Sequence, residues 1–230
     1  MKKLSSGNFK HDIFTQFARV GKALGNGNRL ELLEFLAQGE RSVDDLAKVS
    51  GLSVANTSQH LQQLRQAGLV TCHKEGLKAY YYLSGDDVVP LLDALRGVAE
   101  RHLAEVDRLV NTYLTVKDDL EPIPRNELLS RARDGLISVI DVRPPEEFAA
   151  GHVPGARNIP LADLEKHLNQ IDKNQEIVAY CRGPHCILAF DAVEKIRKQG
   201  RTARRLEDGF PEWKAAGLPY ESNNNDQEAG

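Results

Sequence analysis

The sequence predicts a multidomain chain, with a mainly-α domain of short helices closed by one β-hairpin followed by an α/β domain built on a parallel sheet. Helical apolar spacing dominates residues 11–115, interrupted by one pair of strand-like runs around a two-residue turn. From Ile137 onwards strand-like and helix-like segments alternate, the pattern of a parallel sheet covered by helices on both faces. Between the two, Glu121-Pro122-Ile123-Pro124 ends the helical pattern and reads as a linker. The expected domains are residues 1–118 and 119–222, with a disordered tail at 223–230 where three Asn follow one another among acidic neighbours.

Taken in order, Ile13, Phe14, Phe17, Val20, Ala23 and Leu24 recur at helical spacing. A turn at Gly25-Asn26-Gly27 follows, and Asn28 is placed to cap a second helix whose apolar face is Leu30, Leu33, Leu36 and Ala37. This G-x-G is not a dinucleotide loop, because it lacks a preceding strand and a third glycine. Ser42-Val43-Asp44-Asp45 starts a short helix through Lys48, Gly51 makes a tight turn, and Ser53 caps a helix from Val54 to about Gln66 that Gly68 ends. Two short helices joined by a glycine-containing turn are the helix-turn-helix signature. The second helix is expected to expose Asn56, Thr57, Ser58, Gln59, Gln62, Gln63 and Arg65, side chains that hydrogen-bond to base edges and phosphates. The runs 69–74 and 77–83 flank Glu75-Gly76 as a hairpin, with Lys74 and Lys78 near its tip as phosphate contacts. A long helix is expected from about Asp87 to Tyr113.

In the second half the expected elements are strand 137–142, helix 161–170, strand 177–180, helix 187–199, a short strand at 204–206 and a terminal helix at 212–216. Cys181-Arg182-Gly183-Pro184-His185-Cys186 therefore lies between a strand's carboxyl end and a helix's amino end, where backbone N–H groups converge and the reactive crevice of a parallel sheet lies. Such a loop lowers a cysteine pKa and can hold an anionic sulfur. The N–H groups of Arg182, Gly183, His185, Cys186 and Ile187 can surround it; Gly183 lets the loop close and Pro184 stiffens it. Arg182 reads either as a steering group for anionic sulfur donors or as a solvated surface cation. Cys186 reads either as a second thiol that attacks a modified Cys181 or as a small residue at a helix start. His185 either tunes the thiolate or points to solvent. An oxyanion loop of the Cys-x5-Arg type is set aside because position 187 is Ile.

Composition excludes several classes. Apolar residues at 41% and charged residues at 27% are ordinary for a globular protein, and no apolar run approaches the ~20 residues of a membrane helix. Residues 1–7 carry charge with no apolar core behind them, so no signal peptide is expected. Three cysteines do not make a disulfide framework, and a cytoplasmic protein with reduced thiols is expected. The net charge of −3 does not announce a nucleic-acid binder; residues 1–118 hold 15 basic and 14 acidic side chains, a weak asymmetry.

Residues 11–115 resemble the ArsR/SmtB-type winged-helix repressors. The carriers are Lys22-Ala23-Leu24 through Arg29-Leu30-Glu31-Leu32-Leu33, the stretch from Ser53 to Val70, and the wing at 71–83. The resemblance implies double-stranded operator DNA as partner and a homodimer built from the first and last helices, with recognition helices about one DNA turn apart. Neither metal site known in that family is complete: Ser42-Val43-Asp44 stands where a Cys-x-Cys is required, and Val89 and Leu91 stand where an Asp-x-His should precede His102 and Glu105. No metal and no cofactor are therefore expected; Cys72 beside His73 reads either as a metal ligand or, as a single thiol at the start of a wing strand, as a packed residue.

Residues 119–221 resemble a single rhodanese domain, on Asp141-Val142-Arg143, Glu147-Phe148, residues 151–156, Asn158-Ile159-Pro160, the loop from Cys181, and Asp208-Gly209-Phe210 with Trp213 and residues 217–219. That resemblance implies a persulfide on Cys181, taken from a small-molecule sulfur donor and passed to a thiol acceptor, with Arg182, Gly183, His185 and Cys186 forming the active loop. Asp141, Arg143 and His152 read as residues that fix the loop. The two halves together predict a repressor whose DNA binding responds to reactive sulfur, with weaker binding expected on loading. The competing reading is a thiosulfate or polysulfide sulfurtransferase whose turnover is not coupled to DNA. Two others are a general peroxide or disulfide-stress sensor and a switch that involves Cys72.

Overall fold

The computed structural model describes residues 6–115 and 122–223, and the chain divides into two compact units, Met1–Val88 and Val89–Gly230. The predicted boundary near residue 118 and the predicted tail beyond residue 223 lie outside the described residues.

The first unit runs α1 (Ser6–Leu24), α2 (Gly27–Ala37), β1 (Arg41–Ser42), α3 (Val43–Ser50), α4 (Val54–Gln66), β2 (Val70–Glu75) and β3 (Lys78–Leu83). Its caps are mostly those read from the chain. Ser42 and Ser53 accept from the N–H groups of Asp45 and Asn56, and Gly51 and Gly68 take φ of 70° and 79° where the helices end. One cap moves: Asn26, not Asn28, accepts from Arg29 N–H, because α2 begins at Gly27. The hairpin turn also moves by one residue. Glu75 pairs with Lys78, so Gly76 and Leu77 form the turn, with Gly76 at φ 60°. β1 pairs antiparallel with β3, giving the sheet order β1-β3-β2, and two residues with no run of their own were not legible as a strand. Leu32, Leu33, Leu46, Leu61 and Leu64 are fully buried and hold the three helices against this sheet.

The predicted single helix over 87–113 is broken. α5 (Val88–His102) stops at Leu103, which is extended at φ −110° and ψ 100°, before α6 (Ala104–Val110) and a π-turn at Asn111–Thr115. Leu103 is exposed, so no packing holds it helical. The second unit continues through α7 (Arg125–Arg133), β4 (Ile137–Asp141), α8 (Pro145–Ala150), β5 (Arg157–Asn158), α9 (Leu164–His167, extended by a 3-10 turn to Gln170), β6 (Glu176–Tyr180), α10 (Ile187–Lys198), β7 (Ala203–Arg205) and α11 (Phe210–Ala215). The sheet is wholly parallel in the order β5-β4-β6-β7, with Ile140 opposite Ala179.

Both faces of the sheet are covered, as a parallel sheet requires. Along β6 the side chains alternate: Ile177 and Ala179 join α9 and α10 in one core, while Val178 and Tyr180 join Leu128, Phe210 and Trp213 in the other. The segment read as linker has a second role. Ile123 is fully buried, and its backbone bridges Leu206, donating to Arg205 O (2.9 Å) and accepting from Glu207 N–H (3.0 Å). No helix among the described residues is long and apolar enough to cross a membrane.

Glu176 of β6 accepts from Arg131 of α7 (2.5 Å) and Arg204 of β7 (2.7 Å). Burial alone would raise the Glu176 carboxyl, but the two guanidiniums outweigh it and hold the pKa below the ordinary value. A carboxyl depressed on folding contributes stability above its unfolded pKa and loses it as pH falls through the folded value. Glu176→Gln is therefore expected to cost about 1 kcal/mol at pH 7. Urea unfolding should show the gap from wild type closing below about pH 4.

Candidate functional site

Four strand ends meet in the second unit, and the loop after β6 lies among them. Tyr180 closes β6 fully buried, and its hydroxyl accepts from Val153 N–H (3.0 Å). Burial, with the nearby Asp141 charge, pushes its pKa well above the ordinary phenol value, so it stays neutral. Cys181 follows at 1% exposure, then the loop to Cys186, and α10 starts at Ile187.

Asp141 and Arg143, read as loop-fixing residues, form a completely buried ion pair. The Arg143 guanidinium donates to both Asp141 carboxylate oxygens (2.5–3.1 Å) and to Gly151 O (2.7 Å), and lies 4.6 Å over the Phe210 ring. Burial opposes the charge on Arg143, but Asp141 more than offsets it and its pKa is raised. His152 is buried and stacked on Phe148 at 3.6 Å, and its Nδ1 faces Phe148 O at 2.9 Å, which requires the proton on Nδ1. Its backbone exchanges two hydrogen bonds with Glu221, and Asn223, the first residue of the expected tail, donates its N–H to Ala149 O (2.9 Å). The Asp141, Arg143 and His152 side chains are all buried.

Arg182 is paired and not a solvated surface cation. Its guanidinium grips the buried Glu147 carboxylate, Nε to both oxygens (3.1 and 3.0 Å) and Nη2 to one (2.7 Å). Glu147 was legible as part of a motif but not as this partner, because nothing in the chain relates positions 147 and 182. The set of loop N–H groups also shrinks by one: Cys186 donates its N–H to Gly183 O at 3.1 Å. His185 turns outward, its Nε2 2.7 Å from Glu100 of α5.

The sulfurs of Cys181 and Cys186 are in disulfide contact across the loop, with their Cα atoms 6.4 Å apart. That Cα spacing lies inside the range of ordinary disulfides. Cys72, the remaining cysteine, is free and half-buried on β2. Among the described residues, no group of three or more His, Cys, Asp or Glu side chains is placed to hold a metal ion.

A second loop backs the first. Phe210 N–H donates to Cys181 O (3.1 Å), Gly209 N–H donates to Glu212 (3.1 Å), and Glu212 in turn accepts from Arg96 of α5 (2.8 Å). A Cβ on Gly209 would collide with the backbone of Arg182 and Gly183. Glycine is required there by close approach and not by φ, a reason that the isolated triplet Asp208-Gly209-Phe210 does not state.

In the first unit α4 presents Asn56, Gln59, Gln62, Gln63 and Arg65 to solvent, and Ser58 is half-buried. Thr57 departs from expectation. It is fully buried and its hydroxyl donates to Ser53 O (3.0 Å), because it shares the inward face of α4 with Leu61 and Leu64. Lys74 and Lys78 are exposed beside the hairpin turn.

Residues 26–71 match the bacterial regulatory protein arsR family and residues 125–216 match the rhodanese-like domain family. The HTH-type transcriptional regulator Rv0324 of Mycobacterium tuberculosis is 45% identical over 212 residues, spanning 92% of this chain and 93% of that protein. The chain belongs to the ArsR-family transcriptional regulators that carry a rhodanese-like domain. Two further relatives of this ArsR–rhodanese regulator match one part of the chain each. The solution structure of the homodimeric winged helix-turn-helix DNA-binding domain of a possible ArsR-family regulator from Mycobacterium bovis is 43% identical, covering 45% of this chain and 94% of that one at a TM-score of 0.40. The Bacillus subtilis protein YqhL is 40% identical over 76 residues, 33% of this chain and 59% of its own length.

Gly209→Ala is expected to destabilise the regulator by about 2 kcal/mol or more, since the obstacle is backbone that cannot swing aside. In chemical denaturation, a cost under about 0.5 kcal/mol would mean that the two loops are not held in contact.

Proposed function

We propose that this regulator binds operator DNA as a homodimer, loads sulfur on Cys181, and couples that loading to DNA affinity. The observation that carries the coupling is the pair of contacts from α5 to the active loops: Glu100 to His185 on the Cys181 loop, and Arg96 to Glu212, which caps Gly209 behind it. Arg96 and Glu100 are four residues apart and share one side of α5. At 100° per residue the opposite side carries Leu91, Leu95 and Val98, all exposed. In α1, Phe14 and Phe17 are exposed as well, at 59% and 60%. Apolar stripes of this kind on the two helices the family uses for dimerisation suit a second copy of the chain. One helix thus has an active loop on one side and a candidate dimer face on the other.

The sulfur chemistry balances as follows. The Cys181 thiolate attacks a sulfane sulfur of a polysulfide or thiosulfate; the donor's S–S bond breaks and its electron pair leaves with the remainder of the donor. Cys186 thiolate can then attack the inner sulfur of the Cys181 persulfide and expel hydrosulfide, leaving a Cys181–Cys186 disulfide. The Cα spacing of 6.4 Å supports that second step. Either product changes the backbone between Cys181 and His185, and Glu100 and Arg96 pass the change to α5.

Treatment with a sulfane-sulfur donor at one fixed salt concentration should weaken DNA binding by about tenfold in wild type and leave Cys181→Ser unchanged, about 1.4 kcal/mol of coupling. Glu100→Gln should still gain sulfur by mass spectrometry yet show a smaller change in affinity. An unchanged wild-type affinity would separate the two activities. For the dimer, Leu95→Glu with Val98→Glu should halve the mass found by light scattering.

A further inference from the structure

Beyond the recognition helix and the wing, we infer that the corner where α1, α2 and α4 meet is a phosphate site for the DNA backbone, formed by Arg19, Lys22 and Arg29. The inference rests on the DNA-binding reading above and concerns residues outside the helix-turn-helix.

These three cations border a concavity of about 370 Å³ beside Gln63 and Gln66 of α4, with no carboxylate in its wall. Arg29 donates to Ala23 O (2.5 Å), Lys22 O (2.8 Å) and Gln63 Oε1 (2.5 Å). Arg19 donates to Gln66 O and Gln16 Oε1, each at 2.9 Å. Every one of these acceptors is neutral, so the guanidiniums are oriented but not neutralised. Among the described residues no carboxylate forms an ion pair with Arg19, Lys22 or Arg29, although the whole chain carries net charge −3. Three positive charges gathered at one surface repel one another, and an anion relieves that repulsion.

The geometry of α4 selects the anion. Thr57, Leu61 and Leu64 mark its buried side, so Gln59, Gln62 and Gln66 point outward. Arg65 interacts with Tyr81 of β3 and lies on the wing side; Gln63, bonded to Arg29, lies on the other. A helix in the major groove, about 12 Å wide, runs between two walls of phosphates. Lys74 and Lys78 of the wing suit one wall, and the Arg19–Lys22–Arg29 corner suits the other. Arg29 also ties α1's last carbonyls to α4, so it would fix the height of the corner relative to the outward glutamines.

The test uses the full-length protein and a duplex carrying its operator, with affinity measured from 50 to 200 mM salt. Lys22→Gln and Arg19→Gln are suited to it because both side chains are exposed; Arg29 is left intact because it caps α1. Each lost phosphate contact lowers the slope of log affinity against log salt by about 0.9, twice over in a dimer, and weakens unrelated sequences equally. Lys74→Gln serves as the reference. A reduced slope for Lys74→Gln with an unchanged slope for Lys22→Gln and Arg19→Gln would overturn the inference alone. No binding of duplex DNA by wild type would overturn it together with the DNA-binding reading. Millimolar inorganic phosphate that raises the melting temperature of wild type but not of Lys22→Gln, with the salt slope unchanged, would make the corner a free-anion site and overturn the backbone assignment.

Discussion

Arg143 holds a full positive charge where no water reaches it, and the Asp141 carboxylate two residues earlier neutralises it. An isolated buried charge would cost several kcal/mol, so the two must fold as a unit. That unit sets much of what surrounds the candidate site. It ends β4, anchors the Gly151 carbonyl that turns the chain after α8, and provides a cationic surface on which Phe210 and Tyr180 pack. Tyr180 is the residue before Cys181, and the Phe210 N–H holds the Cys181 carbonyl. The position of the thiol therefore follows from an ion pair that never touches it.

A second buried carboxylate works in the same way one layer further out. Glu147 on α8 grips Arg182, and α8 is itself placed by the turn that Arg143 anchors. The loop is thus pinned on both flanks of Cys181 by ion pairs, while His185 at its far end leans on α5. A loop clamped at its start and linked to a helix at its end can report what happens between the two points. This arrangement would give the proposed coupling a physical route, where the mere fusion of two domains gives none.

Much of the fold was legible because its signals are local. Ser42 and Ser53 before helical runs, Gly51 and Gly68 after them, and the alternation along 176–180 are patterns that span a few residues. Errors arose where a local pattern was continued too far or placed one residue off. The apolar spacing over 87–113 does not record that Leu103 leaves the helix, since a helical period persists on both sides of a break. Thr57 reads as a polar DNA-facing residue by type, yet its phase with Leu61 and Leu64 turns it inward.

For the candidate site, the sequence by itself determined the placement of the thiols: a cysteine between a β-strand end and a helix start, with a second cysteine five residues on. Those are properties of order along the chain, and order is what a sequence states. Only the tertiary structure decided the partners. Arg182 with Glu147, Glu212 with Arg96, His185 with Glu100 and Gly209 against the Arg182–Gly183 backbone join positions 26 to 116 residues apart. Charge complementarity at such distances is satisfied by whichever residues the packed core brings together, and no local pattern in the chain encodes that choice.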